Sequence, residues 1–173
     1  YGRSEDMMSR WVEETGDGGY IVAPRTPSLL KVNAQGDTLW SKDYGIYSYC
    51  VQESLDRGYL VVGGTNGYKY DEQLVVVKTD SVGDTIWTRT YAESANNWNV
   101  GNFVQETDDG GHIIFGLTGY VDPDYNEWSK VWLVKIDSEG NKLWSKAYGR
   151  EEYGYTSKAY CGRQTTDGGY ILT

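Results

Sequence analysis

Leu133-Val134-Lys135-Ile136-Asp137-Ser138-Glu139-Gly140-Asn141-Lys142-Leu143-Trp144-Ser145-Lys146-Ala147-Tyr148-Gly149 decides the reading of the fold, because it recurs. Residues 29–45 carry the same block with Lys31, Asn33, Gly36, Trp40 and Tyr44 in register, and residues 76–92 carry it with Lys78, Asp80, Gly83, Trp87 and Tyr91. A second segment interleaves with it: 13–20, 52–59, 105–112 and 163–170 each lead through Asp17, Asp56, Asp109 or Asp167 to a glycine and then Tyr20, Tyr59, His112 or Tyr170. The tryptophans lie 47 and 57 residues apart, so insertions of variable length separate the copies.

Alternation and turn chemistry resolve each unit into four strands, at about 8–14, 19–24, 28–33 and 37–44 in the first copy. In Asp17-Gly18-Gly19 the carboxylate accepts a local backbone hydrogen bond while the glycines take positive φ, which closes the first hairpin; Gly36, Gly83 and Gly140 close the third-to-fourth strand turn. The second strand is apolar on both faces (Ile21 to Ala23, Leu60 to Val62, Ile113 to Phe115), as expected of a strand covered on both sides. A four-stranded meander repeated at roughly 40–50 residues is the pattern of a β-propeller blade. The expected architecture is all-β: a partial propeller over 1–173, with blades at about 3–45, 46–92 and 93–149 and a half blade at 150–173. Trp40, Trp87 and Trp144 are expected to pack against the adjacent blade.

The two blocks resemble the tandem β-propeller repeats of secreted and cell-surface bacterial and archaeal proteins, over essentially the whole chain. The 133–149 block is also similar to the tryptophan-docking motif of quinoprotein propellers, although Asp80 to Gly83 is one residue shorter than that spacing. More distantly it is similar to the Asp-box of sialidases, where the glycine-to-tryptophan spacing is shorter than Gly83 to Trp87. The resemblance implies a secreted, cell-surface or periplasmic location.

Composition bounds the function. The chain has 173 residues, 39% hydrophobic and 14% aromatic, with a net charge of -9 and no apolar run of membrane-spanning length. Its negative charge, without a Lys/Arg cluster, argues against nucleic acid as a partner. The sequence has no Gly-x-Ser-x-Gly, no phosphate-cradling glycine loop and one histidine, His112, which stands where the other copies have tyrosine. No cofactor, metal or catalytic residue is therefore assigned. Oxygen-rich stretches at Asp122 to Asp124, Thr107 to Asp109 and Asp80 to Asp84 lack the spacing of a calcium loop, and turn chemistry is the expected account of them. Glu14, Glu53, Glu106 and Gln164 are expected to hold turn hydrogen bonds or to form a polar ring near a central channel. Cys50 and Cys161 occupy equivalent positions in non-adjacent units, which predicts buried thiols rather than a disulfide.

The inserted loops, 65–72, 92–99, 118–129 and 150–156, fall on one side of the meanders. They carry Tyr68, Tyr70, Asn97, Trp98, Asp122, Asp124, Tyr125, Asn126, Trp128, Tyr153 and Tyr155. Aromatic rings beside short polar groups are the chemistry that binds a sugar or a protein surface. The expected function is non-catalytic recognition or scaffolding through these loops, with self-association through open blade edges as a further expectation. Two alternatives stand beside it: part of a secreted hydrolase or quinoprotein-like enzyme completed by further blades, and a surface-layer or filament module.

Overall fold

Short β-branched runs separated by Gly turns leave the described residues of the computed structural model in strands and loops alone. These residues are 9–24, 26–65, 72–93, 98–122, 124, 126–150, 152 and 154–173. The first sheet contains β1 (Ser9–Glu14), β2 (Tyr20–Pro24), β3 (Leu29–Val32) and β4 (Thr38–Lys42). The second contains β5 (Ile46–Glu53), β6 (Tyr59–Thr65), β7 (Leu74–Thr79) and β8 (Thr85–Tyr91), and the third β9 (Trp98–Glu106), β10 (His112–Val121), β11 (Glu127–Ile136) and β12 (Lys142–Tyr148). A two-stranded sheet of β13 (Gly162–Gln164) and β14 (Tyr170–Leu172) follows. Each four-stranded sheet is an antiparallel meander with its strands in chain order.

Because the middle strands are apolar on both faces, each sheet must be covered twice. Ile21, Ala23 and Leu29 of the first sheet share one core with Val61, Val75 and Val77 of the second. The opposite face of the second sheet, with Leu60, Val62, Leu74 and Val76, shares another with Ile114, Trp132, Val134 and Ile136 of the third. Ile113, Phe115 and Leu133 then pack against Ala159, Tyr170 and Leu172.

The first hairpin of each four-stranded sheet is held by a buried lysine. Lys31, Lys78 and Lys135, all nearly inaccessible to solvent, reach from the third strand to Asp17, Asp56 and Asp109 at 2.9, 2.7 and 2.9 Å. Each aspartate also accepts from the backbone N–H two residues on, of Gly19, Gly58 or Gly111. Hydrogen bonds from Thr15 and Lys31 hold the Asp17 carboxyl well below the usual range, and Thr107 with Lys135 does the same for Asp109.

The two glycines of this turn differ in purpose, which corrects the expectation that both need positive φ. Only the first does, with φ 80° at Gly18 and 75° at Gly110; Arg57 takes 66° in the second copy. The second glycine is there for space. A Cβ on Gly111 would lie 2.4 Å from both the Lys135 Nζ and the Ile136 carbonyl oxygen. Cys161 also departs from expectation: Cys50 is buried and its thiol is pushed up to about 12 by burial, whereas Cys161 is exposed. Cys50 lies within β5 and packs with Leu60, Val62 and Val104, whereas Cys161 precedes β13 and belongs to no buried cluster among the described residues.

His112 stands in the same position as Tyr59, buried between the second and third sheets. Neither ring nitrogen has a well-formed partner among the described residues, and the Asp137 backbone offers only a weak hydrogen bond. Burial first, and then the charges of Lys78 and Lys135, push the imidazole from 6.5 down to about 4, opposed by the Asp137 backbone and then by Asp56. A base whose folded pKa is lowered gives stability that is complete above its unfolded value and is lost as pH falls from 6.5 towards 4. The loss amounts to about 3 kcal/mol. The depressed aspartates act in the same direction but only below about pH 4.

Two outcomes are expected. Asp109→Ala, which strands a buried ammonium, should cost roughly 1–3 kcal/mol in urea unfolding, more than Lys135→Met, which replaces the ammonium with an apolar end; the reverse order would refute the staple. His112→Tyr should flatten the unfolding midpoint between pH 6.5 and 4.5, and parallel wild-type and variant profiles would contradict the buried neutral imidazole.

Candidate functional site

Strand length sets this site apart. β10 and β11 pair over ten residues each, from His112 opposite Ile136 to Val121 opposite Glu127, whereas β6 and β7 pair only from Leu60 to Gly64. The third sheet therefore extends a longer hairpin on the side of the inserted loops. Its register places Tyr120 opposite Trp128, with ring centroids 5.9 Å apart and planes inclined at 33°. Lys130, two residues on and so on the same face, brings its Nζ to 5.4 Å from the Trp128 ring.

Asp122 closes the tip. Its Oδ1 accepts from the N–H groups of Asp124 and Asn126 at 2.9 and 2.8 Å, and its Oδ2 accepts from the Asn126 side-chain amide at 2.8 Å. Those bonds, the Asn126 amide first, hold the carboxyl below its ordinary pKa. The same geometry recurs at Asp137, whose oxygens take the N–H groups of Glu139 and Asn141 and the Asn141 amide. Asp80 likewise accepts from Val82 and Asp84. In each of the three oxygen-rich stretches one carboxylate, that of Asp80, Asp109 or Asp122, accepts the hydrogen bonds of a turn, while the Asp84 carboxylate takes Lys42. Among the described residues no group of three or more His, Cys, Asp or Glu side chains is placed to hold a metal ion.

The segment after β12 is laid along the hairpin. Ser129 N–H donates to the Tyr155 carbonyl at 3.1 Å, Ser157 N–H to the Ser129 carbonyl at 2.9 Å, and Gly154 N–H to the Glu127 carbonyl at 3.2 Å. This strand-like contact, a parallel bridge between Ser129 and Thr156, brings Tyr155 beside Trp128 in the sheet direction. Tyr155 is 48% exposed, and the Arg150 guanidinium lies 5.4 Å from its ring centre. The Arg150 to Glu152 pair at 3.9 Å is solvent-exposed and adds little.

Of the residues singled out from sequence, Asp122, Asp124, Asn126, Trp128 and Tyr155 gather at this end of the third sheet. Asp124 contributes its backbone N–H to the turn. Trp98 opens β9 and is 8% exposed, packed with Val100 and Leu117 and pressed against Gly119, so it supports the hairpin from within. Tyr68, Tyr70, Asn97, Tyr125 and Tyr153 lie outside the described residues. Tyr120, Lys130 and Arg150 belong to the site and were not singled out. Tyr120 and Trp128 are equidistant from Asp124, which is the signal for a cross-strand pair.

The glutamates read as a turn or channel feature bond across sheets. Glu53 accepts from Gly16 N–H at 2.8 Å, Glu106 from Leu55 N–H at 3.2 Å, and the Gln164 side chain from Asp108 N–H at 3.2 Å. Each is an acceptor on one sheet for the first turn of the sheet before it.

No protein-family model matches the sequence, and no curated protein matches it significantly. Among the described residues, no helix is long and apolar enough to cross a membrane.

Proposed function

We propose that this chain is part of a non-catalytic β-propeller that works outside the cell by recognition or scaffolding, binding a carbohydrate or a protein surface at the extended β10–β11 hairpin. The observation that carries the reading is the Tyr120–Trp128 pair beside Lys130, with Tyr155 and Arg150 alongside. Rings with one open face stack on the apolar face of a sugar or on a partner's side chains, and the flanking cations hydrogen-bond to hydroxyl, carboxylate or carbonyl oxygens. The first-turn aspartates and the third-turn Asp80 and Asp137 hold hydrogen bonds within their own hairpins, and the aromatic and cationic side chains named above lie together at the hairpin end. Face-to-face stacking of successive meanders, with β1, β5, β9 and β13 neighbouring one another, supports the propeller arrangement.

A glycan and peptide array probed with the intact chain tests the reading. Trp128→Ala and Tyr155→Ala should each weaken a hit about tenfold or more, roughly 1.4 kcal/mol, with the melting temperature unchanged. Hits that ignore both substitutions would refute the hairpin as the binding surface. Turnover of aryl glycosides by the chain would refute the non-catalytic reading.

A further inference from the structure

The first turns of the meanders are not all alike. Where the other copies have Gly18, Gly110 and Gly168, the second has Arg57, held at φ 66° in a region that side chains rarely enter. Where the other copies have Leu55, Asp108 and Thr166, the first has Gly16. The two departures fit each other. A Cβ on Gly16 would overlap the Arg57 guanidinium, so this arginine of the second sheet lies over the first sheet's turn only because the residue beneath it is glycine. Glu53 completes the contact, accepting from the Gly16 N–H at 2.8 Å and lying 3.7 Å from the guanidinium.

Around them is an open polar pocket of about 280 Å³, lined by Gly16, Asp17, Glu53, Arg57, Tyr59 and Ser81. Tyr59 marks it independently. This residue is 3% exposed and packed on Trp40, yet its hydroxyl makes no hydrogen bond among the described residues. Burial, and then the carboxylates of Glu53 and Asp17, push the phenol up to about 12. It is therefore a protonated donor near two carboxylates and bonded to neither. Asp17 takes Thr15, Gly19 and Lys31 all on Oδ1, which leaves its Oδ2 without a hydrogen bond among the described residues. The charges balance, Asp17 and Glu53 against Lys31 and Arg57, so the lining exerts no net pull on an ion.

We infer that this pocket binds the vicinal hydroxyls of a single sugar ring. Such a ligand donates to Asp17 Oδ2 and Glu53 while it accepts from Arg57 and the Tyr59 hydroxyl, whereas an ion satisfies only half of the lining. A planar carboxylate and a planar guanidinium each meet two adjacent oxygens side by side. Tyr59 is too buried to stack on a ligand, so recognition here rests on hydrogen bonds. A free sugar and the free end of a glycan carry the same diol. None of the β10–β11 tip residues lines the pocket, so the inference stands or falls apart from the recognition reading.

The probes are D-mannose, D-galactose, D-glucose and L-fucose with their methyl α-glycosides, each titrated to high millimolar concentration into the isotope-labelled full chain. At least one sugar should shift the Gly16, Arg57 and Ser81 amide resonances along a saturating curve. Equal binding of its methyl glycoside would assign the diol to the end of a glycan, and loss of binding would assign it to a free sugar. Arg57→Gly, which restores the residue of the other copies and keeps the turn, should weaken the binding about tenfold or more. Tyr59→Phe, which removes one hydroxyl, should weaken it about threefold. A pocket that holds only water gives shifts that are absent, linear in concentration or unchanged in Arg57→Gly, and any of these would overturn the inference. So would shifts that gather at Tyr120, Trp128 and Tyr155 and spare the pocket amides, which would assign sugar binding to the hairpin alone.

Discussion

Strands that are apolar on both faces can be stable only between two other layers, and this constraint governs the rest of the molecule. β6, β7, β10 and much of β11 are buried along nearly their whole length. No face of such a strand can be left to water without exposing several large side chains, at roughly 25 cal/mol for each Å² of apolar surface. Stacking of meanders follows directly. The solvent-facing fourth strands, where Leu39, Ile86 and Leu143 are exposed, bear the residues that hold the next layer.

The polar chemistry makes that stacking specific. Apolar faces alone would tolerate sliding of one sheet over the next, whereas hydrogen bonds at both margins fix the offset. At one margin Tyr44 and Tyr91 bond to the glycine carbonyls of the following turn, and their hydroxyls are raised above the ordinary phenol range, chiefly by burial. At the other, Glu13, Gln52 and Gln105 accept the backbone N–H of Glu53, Glu106 and Gln164. Inside each sheet the lysine staple fixes the first turn to the third strand. The three devices use different atoms of the same blocks, which is why the blocks recur as wholes.

Most of the strand plan was legible in the sequence, because period-2 alternation and Asp-Gly punctuation are local signals. Partners distant in sequence were less so. Lys31, Lys78 and Lys135 stand out in the sequence only as recurring positions of a block, since nothing local says that a charge on an apolar strand is buried against an aspartate 14 to 26 residues earlier. The second glycine of the first turn was legible as glycine but not in its purpose, which is room for that lysine. For the candidate site, the aromatic and Asn/Asp composition of the 118–129 insertion pointed to the hairpin on which Tyr120 and Trp128 pair. Its extension to Tyr120 and Lys130 depends on cross-strand register, and the placement of Tyr155 depends on a bridge to Ser129 that no local pattern encodes. Cys161 was misjudged because equivalence to Cys50 in the block does not bring with it the layer that buries Cys50.

The central claim is that the fourth-strand tryptophans Trp40 and Trp87 lie over Gly83 and Gly140 of the next sheet's turn, and the α-proton shifts of these glycines test it most directly. Gly83 and Gly140 should show α-protons shifted upfield by the rings of Trp40 and Trp87, with cross-relaxation to those indoles, while Gly36, whose Cβ position has no neighbour within 4 Å, should resonate near its random-coil position. Three similar, unshifted glycines, without contact to indole protons, would contradict the stacking of these sheets.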